Sequence, residues 1–246
     1  MKAVLVGSGN VATHLALALK AIGIQVTQVW SKQVEHANTL AARVGASTIV
    51  SLSELDQSAD FCIVAIKDDS IASIVPDLMG FKGVVLHTSG AVALDVFAGK
   101  LKRYGVLYPL QTFSISKEVD FSTVPICIEA SDRECLQLIS DLAHRLSKNV
   151  EEVSSDKRKV LHVAAVFACN FTNHLYALSS DLLEAHELNF DLLRPLILET
   201  ANKVQHALPI EVQTGPAIRN DEQTLKKHEE LLLQQPQLLN IYQILS

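Results

Sequence analysis

Short runs of apolar, β-branched residues alternate with amphipathic stretches through the first 153 positions of this chain. The runs AVLVG, VTQVW, STIV, FCIVAI, GVVLH and GVLY are each bounded by Gly, Asp or Ser. Between them lie stretches with helical spacing, such as VATHLALALKAIG and EHANTLAARVG. Both end in glycine, which helix C-termini favour because it tolerates the left-handed conformation. Continuous apolar strands separated by helices predict a parallel sheet covered on both faces, an α/β architecture. PICIEAS, a helix near residues 133–146 and NVEEV extend the sheet.

After Val153 the strands stop. Ser154 or Ser155 is placed to cap a helix running from Asp156 to about Glu187 without a breaker. At 1.5 Å per residue, ~32 residues span ~48 Å. Its stretch LHVAAVFACNFTNHLYAL is apolar nearly all round, so it must be covered on every side. The second half is short of material for that, and a second subunit is expected to supply it. Asn189 and Asp191 mark a turn, and LLRPLILETANKVQHAL reads as the next helix. A loop around PIEVQTGPAIRND, a helix near Glu222–Leu233 and a short one after Pro236 complete the chain. Two domains are expected, 1–153 and an all-helical 154–246, without internal repeats.

Composition narrows the classes. With 246 residues, 48% hydrophobic and 20% charged, the chain is globular rather than disordered. A net charge of −6 argues against nucleic-acid or anionic-membrane surfaces, which need a basic excess. Cys62, Cys127, Cys135 and Cys169 show no CxxC pairing. Three of them, Cys62, Cys127 and Cys169, lie in apolar runs where cysteine acts as a small core residue. MKAVLVGSGN lacks a signal-peptide pattern, and no apolar run nears the ~20 residues needed to cross a bilayer. A cytoplasmic protein with reduced thiols is expected. The nine histidines show no ligand spacing, so no metal is implied.

The strongest motif is Gly7-Ser8-Gly9-Asn10-Val11-Ala12, directly after the strand AVLV and opening a helix. A second strand ends near Trp30, ~20 residues on, as in dinucleotide-binding turns. Gly7 permits the tight turn, and Gly9 lets backbone N–H groups approach a pyrophosphate. Ala12 lets the helix pack against the strand. The helix N-terminus then presents its partial positive charge to the phosphates. Residues 1–153 therefore read as a doubly wound Rossmann domain. The end of the second strand chooses the dinucleotide. NAD and FAD enzymes commonly place an acid there, whereas this chain has Trp30-Ser31-Lys32. Ser31 and Lys32 can donate hydrogen bonds to a 2′-phosphate that a carboxylate would repel, so NADP is favoured. The plainer view is that Lys32 is a solvated residue before the next helix.

Strand carboxyl ends border the ligand crevice of open α/β sheets. Lys67-Asp68-Asp69 ends the fourth strand and His87-Thr88-Ser89-Gly90 the fifth. Lys67, Asp68 and Ser89 are expected beside the cofactor, and His87 and Ser89 near the nicotinamide or substrate. Equally, Asp69 or Thr88 serves only to cap the following helix.

These features resemble the superfamily of pyrroline-5-carboxylate reductases, beta-hydroxyacid dehydrogenases and deazaflavin-dependent NADP oxidoreductases. A bacterial group with a Rossmann-like domain and an uncharacterised helical domain is closer still. Its recurring segments stand here as HTSGAV, LYPLQTF, LHVAAVFACNFTNHLY and TGPAIRND followed by His228. The resemblance implies a C-terminal domain like that of 6-phosphogluconate dehydrogenase, with the long helix dimerising and carrying polar residues into a substrate cleft. At 100° per residue, His162, Val166, Cys169 and Asn173 share one stripe, with Asn170 about 60° from Asn173. Buried His and Asn need hydrogen-bond partners, from a ligand or from the helix bundle itself; His174 falls further round and reads as structural.

One departure matters. Beta-hydroxyacid dehydrogenases place a catalytic lysine on this helix four residues before an asparagine, where this chain has Val166 and Cys169. Hydride transfer at a carbonyl needs a proton donor or acceptor, for which His87 and His162 are the candidates. Thr214, Arg219, Asp221 and His228 lie in or after the TGPAIRND loop. Arg219 suits a carboxylate clamp, but Asp221 as a helix cap and Arg219 as a surface ion pair explain them equally well. The leading expectation is a homodimeric NADP-dependent oxidoreductase for a small polar, anionic metabolite. His87, His162, Asn170, Asn173 and Arg219 are its candidate catalytic residues. The rival is a non-catalytic NADP-binding redox sensor or scaffold.

Overall fold

Eight strands, all but the polar last one built from an apolar run seen in the sequence, pair into one sheet in a computed structural model that describes all residues from Met1 to Ser246. In chain order they are β1 (Lys2–Val6), β2 (Gln25–Trp30), β3 (Ser47–Ile49), β4 (Phe61–Val64), β5 (Val84–His87), β6 (Tyr104–Pro109), β7 (Ile126–Ala130) and β8 (Val150–Glu152). The order across the sheet is β3-β2-β1-β4-β5-β6-β7-β8. All neighbours run parallel except β6 and β7, which are antiparallel. The connection between β6 and β7 is a loop with one short 3-10 turn.

Helices α1 (Asn10–Ala21), α2 (Val34–Val44), α3 (Asp68–Leu78) and α4 (Arg133–Leu146) cover the two faces. Alternate strand residues point to opposite faces, so Ala3 and Leu5 join one core cluster while Val4 and Val6 join the other. The first cluster includes Leu15, Leu19, Leu40 and Ile139; the second includes Ile71, Val75 and Phe97. Burying an apolar side chain fully contributes roughly 1.5–3 kcal/mol, which explains why runs rather than alternation mark these strands. Strand order reverses between β1 and β4, and ligands of such sheets bind outside the strand carboxyl ends at that point.

The chain divides into two compact units, Met1–Cys169 and Asn170–Ser246. The first includes α5 (Ser155–Ala165), which continues through a π-helical turn at Val166–Phe171 into α6 (Thr172–Glu184). The expected single α-helix is thus interrupted. Neither Ser154 nor Ser155 caps α5 through its side chain, because the Ser155 hydroxyl is bonded to Glu129 instead. The second unit adds α7 (Arg194–Lys203), the one-turn α8 (Pro209–Val212), α9 (Glu222–Leu232) and α10 (Pro236–Leu245). Asp221 caps α9 by accepting from the Thr224 amide and hydroxyl, which settles that residue as a structural cap. No helix is long and apolar enough to cross a membrane. Cys62, Cys127 and Cys135 are buried; Cys169, expected in the core, is exposed on the π turn.

Candidate functional site

The glycine turn after β1 is shaped by two different demands. Gly7 has φ +127°, and a Cβ there would come within 2.1 Å of the Ala65 carbonyl oxygen, so no side chain fits. Its amide donates to the Trp30 carbonyl at 2.7 Å, tying the turn to the end of β2. Gly9 is the opposite case: a Cβ would meet nothing within 4 Å. Gly9 is the N-cap of α1, no side chain caps that helix, and its first turn carries no acid. Uncapped, exposed amides at a helix start are the donors that bind a phosphate. The Ser8 hydroxyl donates to Ser31 Oγ at 2.8 Å, bringing together the two hydroxyls expected near the pyrophosphate and the 2′-phosphate. Lys32 and Lys67 are exposed, Lys67 as the N-cap of α3. These residues fit a phosphorylated dinucleotide: open amides, hydroxyls, lysines, and no acid at the end of β2.

Asn10 opens α1, but its side chain donates to the Phe113 carbonyl at 2.9 Å. Val11 packs partly against the core. Asp68 and Asp69 are exposed in the first turn of α3, and neither is its N-cap, so the expected capping by Asp69 is absent. Ser89 is buried, and its hydroxyl accepts from the Ala91 and Val92 amides, so it serves the turn after β5. Trp30 Nε1 donates to the Val50 carbonyl at 3.3 Å.

His87 must be corrected. The structure buries it completely, and Nδ1 accepts from the Ser89 amide. Burial first, and the Arg158 guanidinium second, push its pKa down to about 3. An imidazole held neutral inside the core does not exchange protons with a bound substrate, so the acid–base candidacy of His87 falls.

His162 is placed differently. It is half-buried on α5, and Nδ1 lies 3.0 Å from the Tyr108 hydroxyl, with the rings edge-on at 76°. Tyr108 was not singled out from the sequence, where GVLYPL reads only as strand. Its phenol is pushed up to about 12, mainly by burial and then by Cys127, and stays protonated. A Cβ at Gly90 would stand 2.7 Å from His162 Nδ1 and 2.8 Å from Tyr108 Cζ, so the pair meets only because position 90 is glycine. One turn before His162, the buried Arg158 bonds Glu129, the Val92 carbonyl and Ser155 Oγ. That network fastens α5 to β7 and to the loop after β5.

Asn170, Asn173, Arg219 and His228 belong to the second unit and are exposed there; Thr214 lines an apolar cavity of about 400 Å³ within it. His228 Nδ1 lies 2.8 Å from the Tyr242 hydroxyl. The stripe joining His162 to Asn173 assumed a constant 100° step. The π turn has more residues per turn than an α-helix, so that step does not hold between Val166 and Phe171.

Residues 2–86 match a family described as NADP oxidoreductase coenzyme F420-dependent, and residues 124–246 match a domain of unknown function, DUF2520. No protein of curated function matches the chain at a significant level. Among solved structures, a "putative NADP oxidoreductase" from Bacteroides fragilis is 42% identical, with a TM-score of 0.94 over 99% of this chain and 95% of that one. A Thermotoga maritima protein is 20% identical, with a TM-score of 0.80 over 99% of this chain and 97% of that one. A 1-pyrroline-5-carboxylate reductase from Streptococcus pyogenes is 13% identical, with a TM-score of 0.67 over 98% and 96%, and shares the fold. With the glycine turn, the β2 end and both family matches in register on one chain, the protein belongs to the family that joins an NADP oxidoreductase domain to DUF2520.

Proposed function

We propose that this protein is an NADP-dependent oxidoreductase that works on a small polar, anionic metabolite as a homodimer. The observation that carries the reading is the α1 N-terminus: amides without a side-chain cap, open space over Gly9, and Ser31 with Lys32 where an NAD enzyme carries an acid. When bound, NADP supplies the hydride chemistry. Gly7, Ser8, Gly9, Asn10 and Val11 would hold the pyrophosphate through the turn and its amides, and Ser31 and Lys32 the 2′-phosphate. Lys67, Asp68 and Ser89 would flank the nicotinamide half. His162 is the acid–base residue of this reading, with Asn170 and Asn173 orienting the substrate and Arg219 pairing with its anionic group.

The homodimer is supported by the apolar surface of the helices. Val160 is 71% exposed and Ile244 73%, and α6 and α7 contain no buried residue in the single chain. Helices so apolar are stable in water only when covered. A second copy of the chain is the partner proposed.

Titration of NADPH and NADH against the fluorescence of Trp30, the only tryptophan, tests the cofactor reading. Tighter binding of NADPH is expected, and equal affinity would undo the Ser31/Lys32 assignment. Turnover of NADPH with a panel of small carbonyl and imine acids tests catalysis. Tight binding with no hydride exchange across that panel would favour a sensor or scaffold.

A further inference from the structure

We infer that Tyr108 is the proton donor of the site and His162 the group that restores its proton, and that the reaction is reduction of a carbonyl. The inference rests on the oxidoreductase reading above and adds to it a donor and a substrate class.

The placement comes from register. Val6 pairs with Val64, Val64 with His87, and His87 with Val106. Tyr108 is two residues beyond Val106, near the carboxyl end of β6, the same edge of the sheet from which the turns after β1 and β5 leave. Tyr108 therefore stands three strands from the glycine turn, ~14 Å at ~4.8 Å per strand. A dinucleotide with its pyrophosphate on α1 lays its two halves on either side of the β1/β4 switch. A nicotinamide half directed over β4 and β5 would leave the neighbouring edge of β6, where Tyr108 stands, to a substrate. Tyr108 is buried apart from an 8% exposed remainder, and its hydroxyl meets His162, which is only half-buried.

The chemistry follows from the pair. A carbonyl carbon that takes a hydride pushes its π electrons onto oxygen, which must gain a proton. The Tyr108 Oη–H bond breaks to supply it, and the phenolate takes a proton from His162 Nδ1 as His162 Nε2 accepts one from water. Each turnover consumes one hydride and one solvent proton; Tyr108 returns to the phenol, and His162 is left as the Nε2–H tautomer, which proton exchange with water resets to Nδ1–H. A phenol that burial keeps protonated at neutral pH still gives its proton to an oxygen that is becoming an alkoxide, which is the far stronger base. A carbonyl oxygen has no proton until a donor gives it one, whereas an imine basic enough to be protonated in solution arrives with its own, so a built-in donor suits a carbonyl. Gly90 gives independent support: a glycine under both rings keeps them together where any Cβ would separate them.

Single-turnover oxidation of NADPH by small 2-oxo acids, aldehydes and cyclic imine acids, in wild type, Tyr108→Phe and His162→Gln, tests this. Carbonyl reduction should fall about 100-fold or more in Tyr108→Phe, the usual worth of a general acid, with NADPH affinity changed less than twofold. His162→Gln should fall less. Tyr108→Phe turning over carbonyls within threefold of wild type, or wild type reducing only imines, overturns the proposal. A readout without substrate separates it from failure of the oxidoreductase reading. The ring signals of His162, followed by NMR, should move in Tyr108→Phe and on saturation with NADP⁺. If NADPH quenches Trp30 but no compound is reduced, the catalytic reading fails. An imidazole indifferent to NADP⁺ overturns the placement of the pair.

Discussion

At the residue scale, the two glycines of the first turn separate stability from function. Gly7→Ala combines a backbone angle that L residues avoid with a contact against backbone, and should cost on the order of 3 kcal/mol. Gly9→Ala meets only open space, so it should keep the wild-type melting temperature while weakening NADPH binding. Thermal melts and Trp30 titrations on both variants check the contrast; an unstable Gly9→Ala would deny the open site. His87 gives a pH prediction with a definite sign. Its folded pKa is depressed to about 3 from an ordinary 6.5, so the unfolded chain binds more protons between those values. The stability it contributes is full above pH 6.5 and is lost as pH falls toward 3, by up to ~1.4 kcal/mol per pH unit. Urea unfolding across that range should show a shallower acid slope for His87→Leu than for wild type.

At the element scale, α5 is positioned by charge as much as by apolar packing. Arg158 is wholly buried against Glu129, whose carboxyl is raised by burial and lowered further by Arg158 and Ser155, ending below its ordinary 4.5. The pair's stabilisation is therefore present above about pH 4.5 and lost as pH falls through the depressed value. Arg158→Met leaves Glu129 without its partner and should cost ~3–5 kcal/mol by chemical denaturation. Adding Glu129→Leu should recover part of that loss, because the uncompensated charge goes too. An Arg158→Met variant as stable as wild type would show that α5 is held by Leu161 and its apolar neighbours alone.

At the scale of the whole molecule, the helices carry more apolar surface than one chain covers. Sedimentation should give twice the 26.9 kDa chain mass, and Val160→Asp should shift it toward the monomer. A wild-type monomer at micromolar concentration would end the homodimer proposal. The strands, the helices between them and the glycine turn were legible in the sequence, because each depends on local rules: apolar runs, glycine at helix ends, and G-x-G-x-x-A between strand and helix. The antiparallel β7 was not, since PICIEAS has the same apolar pattern in either direction. Nor was the π turn, because periodicity assumes one step throughout. His87 and His162 looked alike as titratable residues near a crevice; burial separated them, and burial is a sum over distant residues. Tyr108 and His162 are 54 positions apart, and only the sheet register and a glycine from a third segment bring them together. Sequence alone determined what kind of ligand the first turn accepts, since backbone geometry there is written in adjacent residues. The proton-bearing pair was decided by tertiary structure, because its members come close only once strands and helix have packed.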